Sequence, residues 1–142
     1  MASRLQVGAF LASIAGTAVS IYLTAVHFAG VPLACPAGAV VNCEVVLGSA
    51  YALIPGTQLP TAAAGIVWFA VSAAIWLRPF TRIHAVWSSI GLLTVLYLVF
   101  IEIVRLGAIC IWCTATHVLV VAIFLFAVAE LTSPREDLAP DR

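Results

Sequence analysis

The chain has 142 residues, 64% of them hydrophobic and only 8% charged, where an ordinary globular domain carries about 25% charged residues. A mean hydropathy of +1.18 agrees, and no soluble fold covers so much apolar sequence with so few charges. Six basic and six acidic residues cancel to a formal net charge of zero, which excludes the basic field that nucleic-acid binding requires. The composition is that of an all-α integral membrane protein. Arg supplies every basic residue and Lys none; with abundant Ala and Gly, this suits a GC-rich bacterial genome.

Charge positions divide the apolar sequence into segments near the roughly 20 residues that a spanning helix needs. Spans are expected at about 6–28, 60–77, 83–104 and 108–131, forming a four-helix transmembrane domain over 1–131. The apolar core of the first span exceeds the 7–15 residues usual for a signal h-region, and no small-x-small site closes it. A retained helix is therefore expected. Gly8, Ala12, Gly16, Ser20 and Thr24 recur every four residues along it, a small-residue stripe that lets helix backbones approach in lipid. The run Ala62, Ala63, Ala64 and Gly65 leaves two readings open, close helix contact or room for a ligand. Arg78 and Arg82 bracket Pro79 and Phe80 as a tight turn between the second and third spans. Residues 132–142 read as a polar, disordered cytoplasmic tail. With the N-terminus inside, Arg4, Arg78, Arg82, Arg135 and Arg142 are cytoplasmic and Arg105 alone is outside. The positive-inside rule then puts both termini in the cytoplasm, leaving the outer face as the outside of a bacterial membrane or the ER lumen.

Chemistry is carried by the cysteines. Cys35 and Cys43 lie in the loop after the first span, and Cys110-Ile-Trp-Cys113 opens the fourth. On this topology all of them gather at the outer face, in a compartment where disulfides form and persist. A C-x-x-C at a helix start sets two thiols one turn apart on one face, and the helix N-terminus favours the thiolate. Between Cys35 and Cys43, Pro36 and Gly38 permit the segment to swing. One of its thiols is then free to meet an incoming protein while the other meets the inner pair. Asn42 is a candidate N-cap for a helix from Cys43 to about Leu53, with Glu44 in its first turn. Apolar Val45, Val46, Leu47, Tyr51, Leu53 and Ile54 make this segment a lid on the bundle mouth. Two other readings compete with a relay. Static disulfides bracing the loops are disfavoured because a C-x-x-C is seldom structural. A four-thiolate zinc site is disfavoured by the oxidising compartment and apolar mouth.

Electrons leaving such a relay need an acceptor. The chain has no haem motif, since Thr114 follows Cys113, and no G-x-G-x-x-G for a dinucleotide. A membrane quinone, menaquinone or ubiquinone, is what remains; it takes two electrons and two protons, the yield of one dithiol. No metal is required. His117, four residues after Cys113 on the same helical face, is a candidate to contact a quinone carbonyl or relay a proton; an interhelical hydrogen bond is the bland alternative. His27 and His84 read as interfacial, and Glu102 with Arg105 as a surface ion pair.

These residues together resemble the vitamin K epoxide reductase family: Cys35, Cys43 opening Cys-Glu-Val-Val-Leu-Gly-Ser to Ser49, and Cys110-Ile-Trp-Cys113 in the fourth span. The resemblance implies a four-helix bundle around a quinone pocket, capped by the loop between the first two helices. It also implies that Cys35 and Cys43 are a shuttle pair, that Cys43 exchanges with Cys110, and that Cys113 faces the quinone. Ser49 matches the loop Ser or Thr of the family. Two positions depart from animal members, which commonly carry Tyr at His117 and a ligand-binding Asn at Thr61. Some bacterial relatives have a fused thioredoxin-like domain; here the thioredoxin-fold partner is expected to be a separate protein. The expected function is oxidation of an extracytoplasmic thioredoxin-fold (DsbA-like) protein coupled to quinone reduction. Rival readings are reduction of vitamin K or its epoxide, and a non-catalytic membrane protein braced by disulfides. A DsbB-like protein would carry its C-x-x-C in the first outer loop.

Overall fold

The computed structural model describes residues 4–36, 38–79 and 81–132. It is all-α. Helix α1 runs Arg4–Ala29 and ends at Gly30, whose φ of +63° suits a residue without a Cβ. The Gly30 N–H closes that end on the Val26 carbonyl at 3.1 Å. A short helix α2, Cys43–Leu47, follows, then a single 3₁₀ turn at Ala50–Ala52. Helix α3 is Thr61–Trp76. Helix α4 is Thr81–Phe100 and continues as a π-helical turn, Ile101–Leu106, before α5, Ile111–Thr132.

The long helices run alternately up and down. α1 packs on α3 and α5, and α4 packs on α5 and more lightly on α3. Three stretches, Arg4–Ala29, Thr81–Leu106 and Ile111–Thr132, are long and apolar enough to cross a membrane. The protein is a multi-pass membrane protein. α3 is equally apolar but has 16 residues, about 24 Å at 1.5 Å per residue. The outward faces are oily: Leu11, Val67, Leu93 and Leu125, one from each long helix, are 58–67% exposed. Inward faces hold small residues, as packing in lipid favours. Gly16 admits the Phe69 ring, Gly91 admits Trp68, and a Cβ at Gly65 would lie 2.9 Å from the Ser20 hydroxyl. The small-residue stripe of α1 is thus a packing face, and Gly65 is likewise a point of close helix contact. Trp68 also stacks on Trp87, ring centres 6.0 Å apart.

Several expectations are corrected. The loop helix stops at Leu47 and not near Leu53. The N–H of Gly48 turns back to the Glu44 carbonyl at 2.8 Å, and the Ser49 hydroxyl donates to the Val46 carbonyl at 2.7 Å, so the helix end is closed by its own next residues. α5 begins one residue after Cys110. His84 is not interfacial. It is 1% exposed, stacks on Trp76 at 3.9 Å, and meets Glu130 of α5 at 2.6 Å through Nδ1. Glu102 is not half of a surface ion pair: it is 6% exposed, whereas Arg105 is exposed. The π-helical winding breaks the α-helical phase on which pairing three residues apart depends. Phe80 of the tight turn and residues 133–142 of the tail lie outside the described residues.

Candidate functional site: two cysteine pairs above an apolar cavity

The site is assembled where the loop after α1 is stitched to the segment preceding α5. Ile109 donates to the Val40 carbonyl at 2.9 Å, and Asn42 donates to the Ile109 carbonyl at 3.1 Å. These bonds form a short parallel bridge between Val41 and Ile109. A second anchor comes from the C-x-x-C itself. The Trp112 indole N–H donates to the Ala34 carbonyl at 2.8 Å, and its ring lies 4.9 Å from that of Tyr22 on α1. The loop is therefore held next to the start of α5 on both sides of Cys35, the bridge running up to Asn42 just before Cys43.

Cys35 and Cys43 are joined as a disulfide, their Cα atoms 6.2 Å apart. Cys43 opens α2 behind the expected N-cap, the Asn42 side chain accepting from the Val45 N–H at 3.1 Å. Cys110 and Cys113 are free thiols. Cys43 and Cys110, 1% and 0% exposed, share one buried cluster with Val46 and Ala108, against which Cys35, Cys113 and Trp112 pack. Cys110 sits at the mouth of α5, its sulfur accepting from the Cys113 N–H at 3.4 Å. Its thiol is held below the ordinary cysteine range by a side-chain hydrogen bond with Cys113, aided by the amides of Cys113 and Trp112. Burial and the Glu102 carboxylate oppose this. The net result favours a nucleophilic sulfur at Cys110.

Beneath this cluster the helices part around a cavity of about 310 Å³, at the lower end of the size of small-molecule sites, about 300–1,000 Å³. Its wall is largely aliphatic and aromatic, including Trp68, Phe69, Val95, Leu98 and Val120. Cys113 lies on that wall and Cys110 does not. Ser49, Thr61 and His117, singled out from the sequence, all line the same space. Ala62, Ala64 and Gly65 line it too, so that small-residue run serves both readings. Thr61 donates to the Tyr51 carbonyl at 3.4 Å, linking α3 to the loop. His27 stands on the wall although it is largely exposed.

Sequence reasoning missed Glu102, which lines the cavity from the π-helical turn. A signal was available, since an acid inside an apolar span is a functional candidate by default. Among the described residues, no group of three or more His, Cys, Asp or Glu is placed to hold a metal ion. A four-thiolate zinc site is also incompatible with the Cys35–Cys43 disulfide.

No curated protein sequence matches the chain significantly. The family model of the vitamin K epoxide reductase family matches residues 8–128, a span reaching from the first turns of α1 nearly to the end of α5 and including both cysteine pairs. Two cysteine pairs, each with one buried sulfur, next to an apolar cavity are in keeping with a thiol-based redox mechanism, and over that span this chain belongs to the vitamin K epoxide reductase family.

Proposed function

We propose that the protein is a quinone-dependent thiol-disulfide oxidoreductase that oxidises an extracytoplasmic thioredoxin-fold (DsbA-like) protein. The observation that carries this reading is the order of the sulfurs in space. Cys35 is half-buried on the loop, Cys43 and Cys110 are buried side by side, and Cys113 stands on the cavity wall. That order matches a path from an outside protein to an apolar acceptor.

A partner thiolate attacks the Cys35 sulfur, forming a mixed disulfide and releasing Cys43. The second partner thiol resolves it, so the partner leaves oxidised and the loop pair is reduced. Cys43 then attacks Cys110 of an inner Cys110–Cys113 disulfide, freeing Cys113. Attack of Cys35 on Cys43 restores the loop disulfide and leaves the inner pair as thiols. A loop disulfide beside an inner dithiol is the state found here. The inner pair next closes to a disulfide while two electrons and two protons pass to a quinone in the cavity, giving quinol. The direction follows from a quinone pool being the stronger oxidant. Ser49, Thr61 and His117 are the polar groups we assign to quinone contact.

For the membrane arrangement we propose that α1, α3, α4 and α5 all span, α3 being short because the loop cap closes the bundle at its end. Arg4, Arg78 and Arg82 then lie on the cytoplasmic side and Arg105 outside. In a bacterial inner membrane this puts the cysteines on the extracytoplasmic side, with both termini inside.

The test uses purified protein, a reduced thioredoxin-fold substrate and a naphthoquinone, with vitamin K epoxide as a separate acceptor. One quinol per disulfide formed is expected. If the thiol state of the cysteines does not change when quinone is added, the disulfides are static and the proposal fails.

A further inference from the structure

Oxidising the inner dithiol releases two protons next to an apolar cavity, and the quinone needs two. A titratable group on the wall between the thiols and the quinone shortens the path those protons take. Glu102 has the position for this. It is 6% exposed, it lines the cavity along with Cys113 and His117, and among the described residues it makes no ion pair. The Cys110 amide is near enough to favour its carboxylate, which in turn lies within electrostatic reach of Cys110 and Cys113. An ionisable residue inside an apolar helix is costly and is usually kept for function. Its backbone setting is equally unusual. The turn Ile101–Leu106 is π-helical, and the Ala108 N–H closes on the Glu102 carbonyl at 3.1 Å; such turns occur frequently at functional sites.

We propose that Glu102 is the base of the inner pair: its carboxylate takes a thiol proton as the Cys110–Cys113 disulfide forms and delivers it to a carbonyl oxygen of the quinone. This rests on the quinone-reduction reading above. The balance closes. Two S–H bonds break, one S–S bond forms, two electrons enter the quinone ring, and two protons reach its oxygens. One travels through Glu102, which ends each cycle as it began. The other comes from the second thiol, which faces the cavity at Cys113. The other titratable groups around the cavity are His117 on α5, His27 on α1 and Tyr51 of the loop; Arg105 on the same turn is exposed.

Glu102→Gln keeps the shape and removes the base. In single-turnover oxidation of the inner dithiol by a soluble naphthoquinone, the rate is expected to fall about 100-fold, the lower end of what a positioned base contributes. Reduction of the loop disulfide by dithiothreitol is expected to stay as in the unaltered protein. The pH profile of Cys110 alkylation supplies a readout independent of quinone. Losing a neighbouring negative charge moves its midpoint to lower pH in Glu102→Gln. A rate within threefold of the unaltered protein, with an unmoved alkylation midpoint, overturns the proposal. Failure of the unaltered protein to reduce any quinone overturns the function instead, and the base is then judged on the alkylation midpoint alone.

Discussion

Two acids, Glu102 buried and Glu130 half-buried, sit at opposite ends of the same bundle, and their surroundings differ. Glu130, at the end away from the cysteines, meets His84 Nδ1 at 2.6 Å. The other ring nitrogen of His84 lies 3.2 Å from the Ile75 carbonyl. A carbonyl only accepts, so Nε2 is the donor in that contact. Both ring nitrogens of His84 have partners, and the ring is clamped against Trp76. The cluster ties α3, α4 and α5 together. Among the described residues Glu102 has no such counter-ion; it faces a cavity that Cys113 also lines. One acid is placed to hold helices and the other to move a proton. The lesson is that burial of a charge does not by itself mark a reactive group; the partners decide.

Substitutions can break or sharpen this contrast. The largest effect is expected at Cys113→Ala, which removes the sulfur on the cavity wall: quinone reduction disappears in a quinol assay, while the Cys35–Cys43 disulfide still forms by mass spectrometry. Next, Cys35→Ala is expected to stop oxidation of a protein dithiol but spare dithiothreitol, which is small enough to reach past the loop. Intact oxidation of the protein substrate would remove Cys35 from the shuttle role. His84→Ala strands the Glu130 carboxylate and opens a hole beside Trp76. A loss on the order of 3 kcal/mol is expected, read as a lowered thermal midpoint in detergent, with the quinone rate per folded molecule unchanged. Glu102→Gln should do the reverse, and the pair of variants separates holding from proton transfer. The smallest effect is expected for Trp112→Phe, which loses the bond to Ala34. That costs about 1 kcal/mol and slows electron passage from loop to inner pair a few-fold in stopped-flow thiol trapping.

Much of this was legible in the sequence, for physical reasons that can be traced. Cysteines announce themselves by spacing, and Asn42 caps α2 because capping is a local event decided within a few residues. The gathering of Ser49, Thr61 and His117 on one cavity followed from family resemblance and helical phase. What stayed hidden was non-local or depended on an irregular backbone. The partner of His84 lies 46 residues away, and no pattern around position 84 points to Glu130. Glu102 was misassigned because pairing it with Arg105 assumes α-helical winding, and the π-helical turn cannot be seen in composition. α2 ended early for the opposite reason. Its continuing apolar pattern suggested more helix, but Gly48 and Ser49 close it locally.

A relay through these cysteines requires electrons to cross from Cys43 to Cys110. The double variant Cys35→Ala, Cys113→Ala leaves those two sulfurs alone in the buried cluster. Mild oxidation followed by non-reducing peptide mapping is predicted to yield a Cys43–Cys110 disulfide in most molecules. Recovery of both as free thiols, or of Cys110 joined to another chain, would contradict the relay.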